Sequence, residues 1–253
     1  RAVAAAAVGC SLLTAGCVAL GPWPLVVVAL PVLAWAGRVG ARERVPELLD
    51  AALVPGALFV LLLVPGVRVW PLAPLLALGL TAGLLARRGD LGRWRSWLRL
   101  GRVDRTTLAI VLGVQVVSVV ALLVWTRLFD GVLPDVYADA ARDAGAVPAA
   151  VGGLLFLVVN GLVEDSLFFG VLLGAAQRAL APAAALTLSA AVFGLAHLHG
   201  IPNGPVGVLM AGSWAVMLAA LRLRTGGMLA TYAAHIVADS TIVVMLLPAA
   251  LGR

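Results

Sequence analysis

The sequence predicts an all-α fold, a polytopic integral membrane helical bundle of about eight to nine transmembrane helices. Three observations predict it. The 253-residue chain is 62% hydrophobic and 12% charged, against about 45–50% and about 25% in a soluble domain. Its mean hydropathy is +1.08. Its apolar residues fall into runs of about 17–25 residues, the length a helix needs to cross the hydrocarbon layer. So little charge cannot solvate a globular surface, which excludes a soluble enzyme, a disordered protein and a nucleic-acid binder. The net charge of +6 does not argue for DNA, because the charges share no soluble face. All 18 basic residues are arginine. With the abundant Ala, Val, Leu and Gly, this reads as the coding bias of a GC-rich bacterial genome.

In chain order the candidate spans are roughly 3–20, 23–37, 51–66, 70–86, 106–127, 148–177, 182–198, 205–221 and 226–248. The first carries Cys10 and Cys17, too few for a disulfide framework and read as buried small apolar residues. Thr14-Ala15-Gly16-Cys17 faintly resembles a lipoprotein cleavage site, and the run could serve as a signal peptide. The next apolar run follows at once, which favours a multi-pass chain. The sequence begins at Arg1, so its start is expected to be trimmed or non-native. The second, third and seventh runs are short, and the sixth is long enough to be tilted or bent. Pro and Gly punctuate many of the ends.

Arginine sets the orientation through the positive-inside rule. The loop 38–50 carries Arg38, Arg42 and Arg44; the loop 87–105 carries Arg87, Arg88, Arg93, Arg95, Arg99, Arg102 and Arg105. Arg178 marks the next loop on that side, and Arg222 and Arg224 the last. The alternate loops hold Arg68 alone, then Arg127 and Arg142 against Asp130, Asp135, Asp139 and Asp143, then none. The expected placement is a multi-pass protein of the bacterial inner membrane with its N-terminus inside. Trp94 and Trp97 in the 87–105 loop suit a segment lying on an anionic inner leaflet, or simply a positive-inside loop.

The chain divides by content. Residues 1–127 form N-terminal transmembrane helices without a polar site, Gln115 being their one notable in-span polar group; residues 148–250 form a core that carries one. An ionisable residue at mid-bilayer costs at least about 2.5–3.5 kcal/mol and is a functional-site hypothesis by default. Glu164, Asp165, His197, His235 and Asp239 qualify, with His199 at the edge. At about 1.5 Å per residue, Glu164, His197, His235 and Asp239 lie roughly 21, 22, 15 and 21 Å from the inner helix ends. Three helices therefore bring polar groups to similar depth. His235 and Asp239 share a helix face, as do Asn160 and Glu164, and Phe193 and His197. Gly170 and Gly174 form a small-xxx-small pair that permits close helix approach. Gly152, Gly153 and Gly161 thin the helix that bears the acids. Each polar group has a structural alternative, as an interhelical pair or a packing histidine; the convergence of all of them favours function.

These residues resemble the CPBP family of intramembrane proteases, the CAAX protease and bacteriocin-processing group. Its motifs are Glu-Glu-x-x-x-Arg, Phe-x-x-x-His and His-x-x-x-Asn. They are matched in order by Glu164-Asp165-Ser166-Leu167-Phe168-Phe169-Gly170, Phe193-Gly194-Leu195-Ala196-His197 and His235-Ile236-Val237-Ala238-Asp239. The resemblance covers about residues 148–245. It implies an endopeptidase in which Glu164 and His197 activate water, His235 and Asp239 hold the oxyanion, and Asp165 accompanies Glu164. Asn160, Phe168, Phe169, Phe193 and His199 would meet the substrate. The implied partners are the lipid bilayer and an apolar or lipidated substrate, with no nucleic acid. The site needs no cofactor, or a divalent metal such as zinc; there is no His-Glu-x-x-His spacing, so the metal-free reading leads.

The chain departs from the pattern at three places: Asp165 for Glu, Phe169 for Arg and Asp239 for Asn. An ionised Asp239 cannot donate to an oxyanion. The richer acid content motivates two alternatives. One is a non-proteolytic membrane enzyme that cyclises or isomerises an isoprenoid-like or polyketide-like substrate by acid catalysis. The other is a non-catalytic immunity or binding protein.

Overall fold

The computed structural model describes residues 1–129, 143 and 145–250, and every element among them is helical. In order these are α1 (Ala2–Leu20), a 3-10 turn (Trp23–Leu25), α2 (Val26–Arg42), α3 (Pro46–Leu62) and α4 (Leu72–Arg87). A 3-10 turn (Leu91–Arg93) and the short α5 (Arg95–Leu98) lead to α6 (Arg105–Leu128). Then come α7 (Ala146–Glu164), a π-helical segment (Asp165–Leu172) and α8 (Leu173–Ala179). The chain closes with α9 (Pro182–Ala196), a 3-10 turn (His197–His199), α10 (Gly204–Thr225) and α11 (Leu229–Ala250).

Each expected span finds a helix. Among the described residues, six helical stretches are long and apolar enough to cross a membrane: Ala2–Leu20, Trp23–Arg42, Arg105–Leu128, Val147–Ala179, Pro182–His199 and Gly204–Thr225. Leu72–Arg87 and Leu229–Met245 are shorter apolar helices. The protein is a multi-pass membrane bundle, and side chains such as Leu112, Val116, Leu154 and Leu209 stand exposed on its outside. Proline does less punctuating than expected. Pro46 and Pro182 do open helices, where the missing N–H is harmless. Helices α2 and α3 run straight through Pro31 and Pro55. Neighbouring helices make such interruptions tolerable in a membrane. The loop expected at 38–50 shrinks to the residues between Arg42 and Pro46.

The Arg-rich segments meet at one end of the bundle. Arg178 at the end of α8 pairs with Glu47 at the start of α3, at 2.7 Å. Arg93 pairs with the buried Asp50 of α3 at 2.6 Å. Arg224 at the end of α10 pairs with Asp104, the N-cap of α6, at 3.2 Å. The Thr107 N–H that donates to Asp104 holds its carboxyl below the usual carboxylate range. This cap is therefore kept at neutral pH and lost only as the pH falls through that lowered value. Helix α10 stops at Gly226, whose φ of 68° closes a left-handed cap onto the Arg222 carbonyl. The acidic outer-loop residues Asp130, Asp135 and Asp139, with Arg142, lie outside the described residues.

Trp94 and Trp97 do not lie at headgroup depth; both are buried in the protein. The Trp94 indole donates to Asp50 at 3.1 Å. Trp97 lies against Gly170 of the π-helical segment, where an added Cβ would meet the indole at 2.8 Å. The reason is local: Asp50 offers two acceptor oxygens inside the bundle end, and Arg93 and Trp94 together satisfy them. The Gly170–Gly174 pair is accordingly not a helix-to-helix seam. Gly170 makes room for an aromatic ring, and nothing lies within 4 Å of a Cβ at Gly174. The close helix approach is elsewhere, between α9 and α10, where a Cβ at Gly194 would meet the Val208 carbonyl oxygen at 2.6 Å. We expect Gly170→Ala to destabilise the protein by about 1–3 kcal/mol, the cost of overpacking, and Gly174→Ala to change little. Thermal unfolding in detergent checks both.

Candidate active site

The long sixth span is a single helical run whose middle is π-helical, with all eight residues from Asp165 to Leu172 buried. A π segment shifts the hydrogen-bond ladder from i+4 to i+5, and such segments often sit at functional sites. Here it starts at the residue after Glu164. It contacts α3, α7, α8 and α9, so the acids enter the bundle where its two halves meet. Ser189 of α9 donates to the Phe168 carbonyl at 3.3 Å, satisfying part of the altered ladder.

Helix α11 lies close against α7. A Cβ at Gly161 would meet the His235 Cβ at 3.5 Å, which is why that position carries no side chain. Gln115 of α6 donates to the Ala234 carbonyl at 2.6 Å and fixes α11 one residue before His235. His235 is buried and faces three carboxylates. Its Nδ1 lies 2.8 Å from Asp165 Oδ1, within hydrogen-bond geometry. Its Nε2 lies 3.3 Å from Glu164 Oε2 and 3.8 Å from Asp239 Oδ1, both outside hydrogen-bond alignment. A carboxylate only accepts, so Nδ1 carries the proton given to Asp165, and Nε2 is the nitrogen turned to the site. Trp214 of α10 meets the His235 ring edge-on, with centroids 4.8 Å apart.

Asn160, buried on α7, links two elements. Its Nδ2 donates to Asp239 Oδ2 at 3.0 Å, and its Oδ1 accepts from the Trp70 indole at 2.6 Å. His197 closes the site from the end of α9. Its ring lies on Phe193 with centroids 4.5 Å apart, and Nδ1 is 2.9 Å from the Phe193 carbonyl. That contact places the proton on Nδ1 and leaves the Nε2 lone pair free.

These groups line a cavity of about 1340 Å³. Its polar wall is Asn160, Glu164, His197, His235 and Asp239, and its aromatic wall includes Phe168, Phe193 and Trp214. The apolar remainder extends to Leu72, Val117, Leu155 and Leu209, whose side chains are exposed on the outside of the bundle. The cavity thus reaches the surface that lipid covers. Asp165 stands behind His235 and Phe169 behind Phe193, where the two phenylalanine rings stack at 5.6 Å; neither Asp165 nor Phe169 lines the cavity. His199 is exposed at the rim. Among the described residues, no group of three His, Cys, Asp or Glu side chains is placed to hold a metal ion.

Two contributors went unnoticed in the sequence, Trp70 and Trp214. An aromatic residue at a span boundary reads as an interfacial anchor, and one inside a span reads as packing. Neither carries a signal that it faces a polar group.

No curated protein and no solved structure matches the chain. Residues 146–241 match the family described as Rce1-like, Type II CAAX prenyl endopeptidase Rce1-like. That segment contains all three motifs and every polar residue of the cavity wall, in agreement with the resemblance to the CPBP intramembrane proteases.

Proposed function

We propose that the chain is an intramembrane endopeptidase that hydrolyses a membrane-associated or prenylated peptide. One observation carries the reading. Glu164, His197, His235 and Asp239, from separate helical elements, line a single cavity whose other walls are apolar and reach the lipid-facing surface. In this reading Glu164 and His197 Nε2 hold a water molecule between them. Glu164 takes one proton as the water oxygen attacks the peptide carbonyl carbon. The carbonyl oxygen becomes an oxyanion, which a doubly protonated His235 meets with Nε2–H while Nδ1–H stays on Asp165. As the C–N bond breaks, Glu164 returns the proton to the leaving nitrogen. Positioned proton transfer is worth about 10²–10⁴-fold, and one fixed oxyanion donor about 10²–10³-fold. The arginine distribution supports an N-terminus inside a bacterial inner membrane.

The test is incubation of the purified protein, in lipid nanodiscs, with a farnesylated peptide and its unprenylated twin. The expected result is cleavage at one peptide bond, faster for the farnesylated form. Two intact peptides after long incubation would count against the reading. The rings of Phe168, Phe193 and Trp214 around the acids support a second one, in which acid protonates an isoprenoid-like substrate and the ring faces stabilise the cation. That enzyme would change a lipid extract and leave peptides untouched.

A further inference from the structure

We propose that Trp70, in the segment between α3 and α4, is a positioning residue that fixes the polarity of the active site by orienting the amide of Asn160. The kinetic consequence rests on the endopeptidase reading; the hydrogen-bond geometry does not.

An indole N–H only donates, a carboxylate only accepts, and a primary amide does both at opposite ends. Asn160 lies between one of each. Trp70 Nε1 meets its carbonyl oxygen at 2.6 Å, and Asp239 Oδ2 meets its NH₂ at 3.0 Å. Turned over, the same amide would set its NH₂ against the indole N–H and its oxygen against the carboxylate. Both contacts would be repulsive. Trp70 and Asp239 therefore admit only one orientation, and Asn160 is buried, so water cannot relieve the other. The amide has a second N–H, and Asn160 is on the cavity wall one helical turn before Glu164. In the fixed orientation that second N–H is the donor offered to the reacting carbonyl oxygen.

This arrangement explains how a site can work with an acid at position 239. Asp239 does not donate. It accepts from Asn160 and holds the donor in place, while its other oxygen stays 3.8 Å from His235 Nε2. The donor sits on α7, its holder on α11 and its orienter near the start of α4. The N-terminal half thus reaches into the site through one side chain.

The experiment is a double-mutant cycle with an independent structural readout. Trp70→Phe keeps the ring and removes the donor. It is expected to lower kcat about 3- to 10-fold, the worth of one hydrogen bond, and to leave KM unchanged. An Asn at position 239 can pair with either end of the Asn160 amide. Trp70→Phe should therefore cost nothing further in an Asp239→Asn background. A merely structural tryptophan would cost the same in both backgrounds, and that result would overturn the proposal. The Trp70 indole ¹⁵N–¹H signal, recorded on the whole protein in micelles, is expected to shift upfield on Asn160→Leu. No shift would overturn the proposed hydrogen-bond chain. If wild-type protein cleaves no peptide, the endopeptidase reading fails, and the indole signal still decides the orientation of Asn160.

Discussion

Glu164→Gln is expected to lower kcat about 10²- to 10⁴-fold, the range for loss of a positioned general base, with the fold intact. The substitution keeps the size and shape of a buried side chain on the cavity wall. It removes the one property the proposed step needs, an oxygen able to take a proton. Glu164 Oε2 is suited to that task because no protein group hydrogen-bonds it. His235 Nε2 stands close at 3.3 Å but out of line. Replacing an acid in this crowded cluster also relieves like-charge repulsion, so thermal stability should hold or rise. Chromatographic separation of peptide products, with unfolding followed on the same preparation, checks both halves. Normal cleavage by a folded Glu164→Gln protein would remove Glu164 from the chemistry.

His235→Ala is the variant expected to damage stability most. His235 is the shared partner of Asp165, Glu164 and Asp239. Its removal leaves three buried acids around an empty space. Removing one partner of a buried ion pair costs about 3–5 kcal/mol, because the remaining charge is left uncompensated. Asp165 is affected first: it is buried, and its Oδ2 has no protein hydrogen-bond partner even with His235 present. The second substitution Asp165→Asn should therefore return part of the loss, which thermal unfolding in detergent would show. Equal stability of wild type and His235→Ala would mean that the acids are held by other contacts. Activity is expected to vanish in both variants, since neither keeps the Nε2 donor.

The spans were legible because hydropathy is a property of each segment alone, and every predicted stretch became a helix. The depth of the polar residues was legible for the same reason: position along a helix counts residues. What was hidden depends on how each helix is rotated and which neighbour it meets. Spans that are apolar all round carry no face to read. The pairing of His235 with Asp165, 70 residues apart, is one such case. Another is Trp97, which looked like a membrane-surface aromatic and is a wedge against Gly170. The π-helical segment was foreshadowed only by the excess length of the sixth span. In that segment the i, i+4 logic that paired positions 165 and 169 no longer applies. Asp165 turns to His235 and Phe169 stacks on Phe193. The acid at 239 looked like a lost donor, and only the contact to Asn160 shows what it does instead.

The central claim is that this acid-rich cavity directs water at a peptide carbonyl. The most direct measurement is turnover of a farnesylated peptide by the purified protein in ¹⁸O-labelled water, read by mass spectrometry. The account predicts one ¹⁸O atom in the newly formed carboxylate of the product, and none in a Glu164→Gln control. An intact peptide, together with a rearranged apolar product that carries no ¹⁸O, would contradict it.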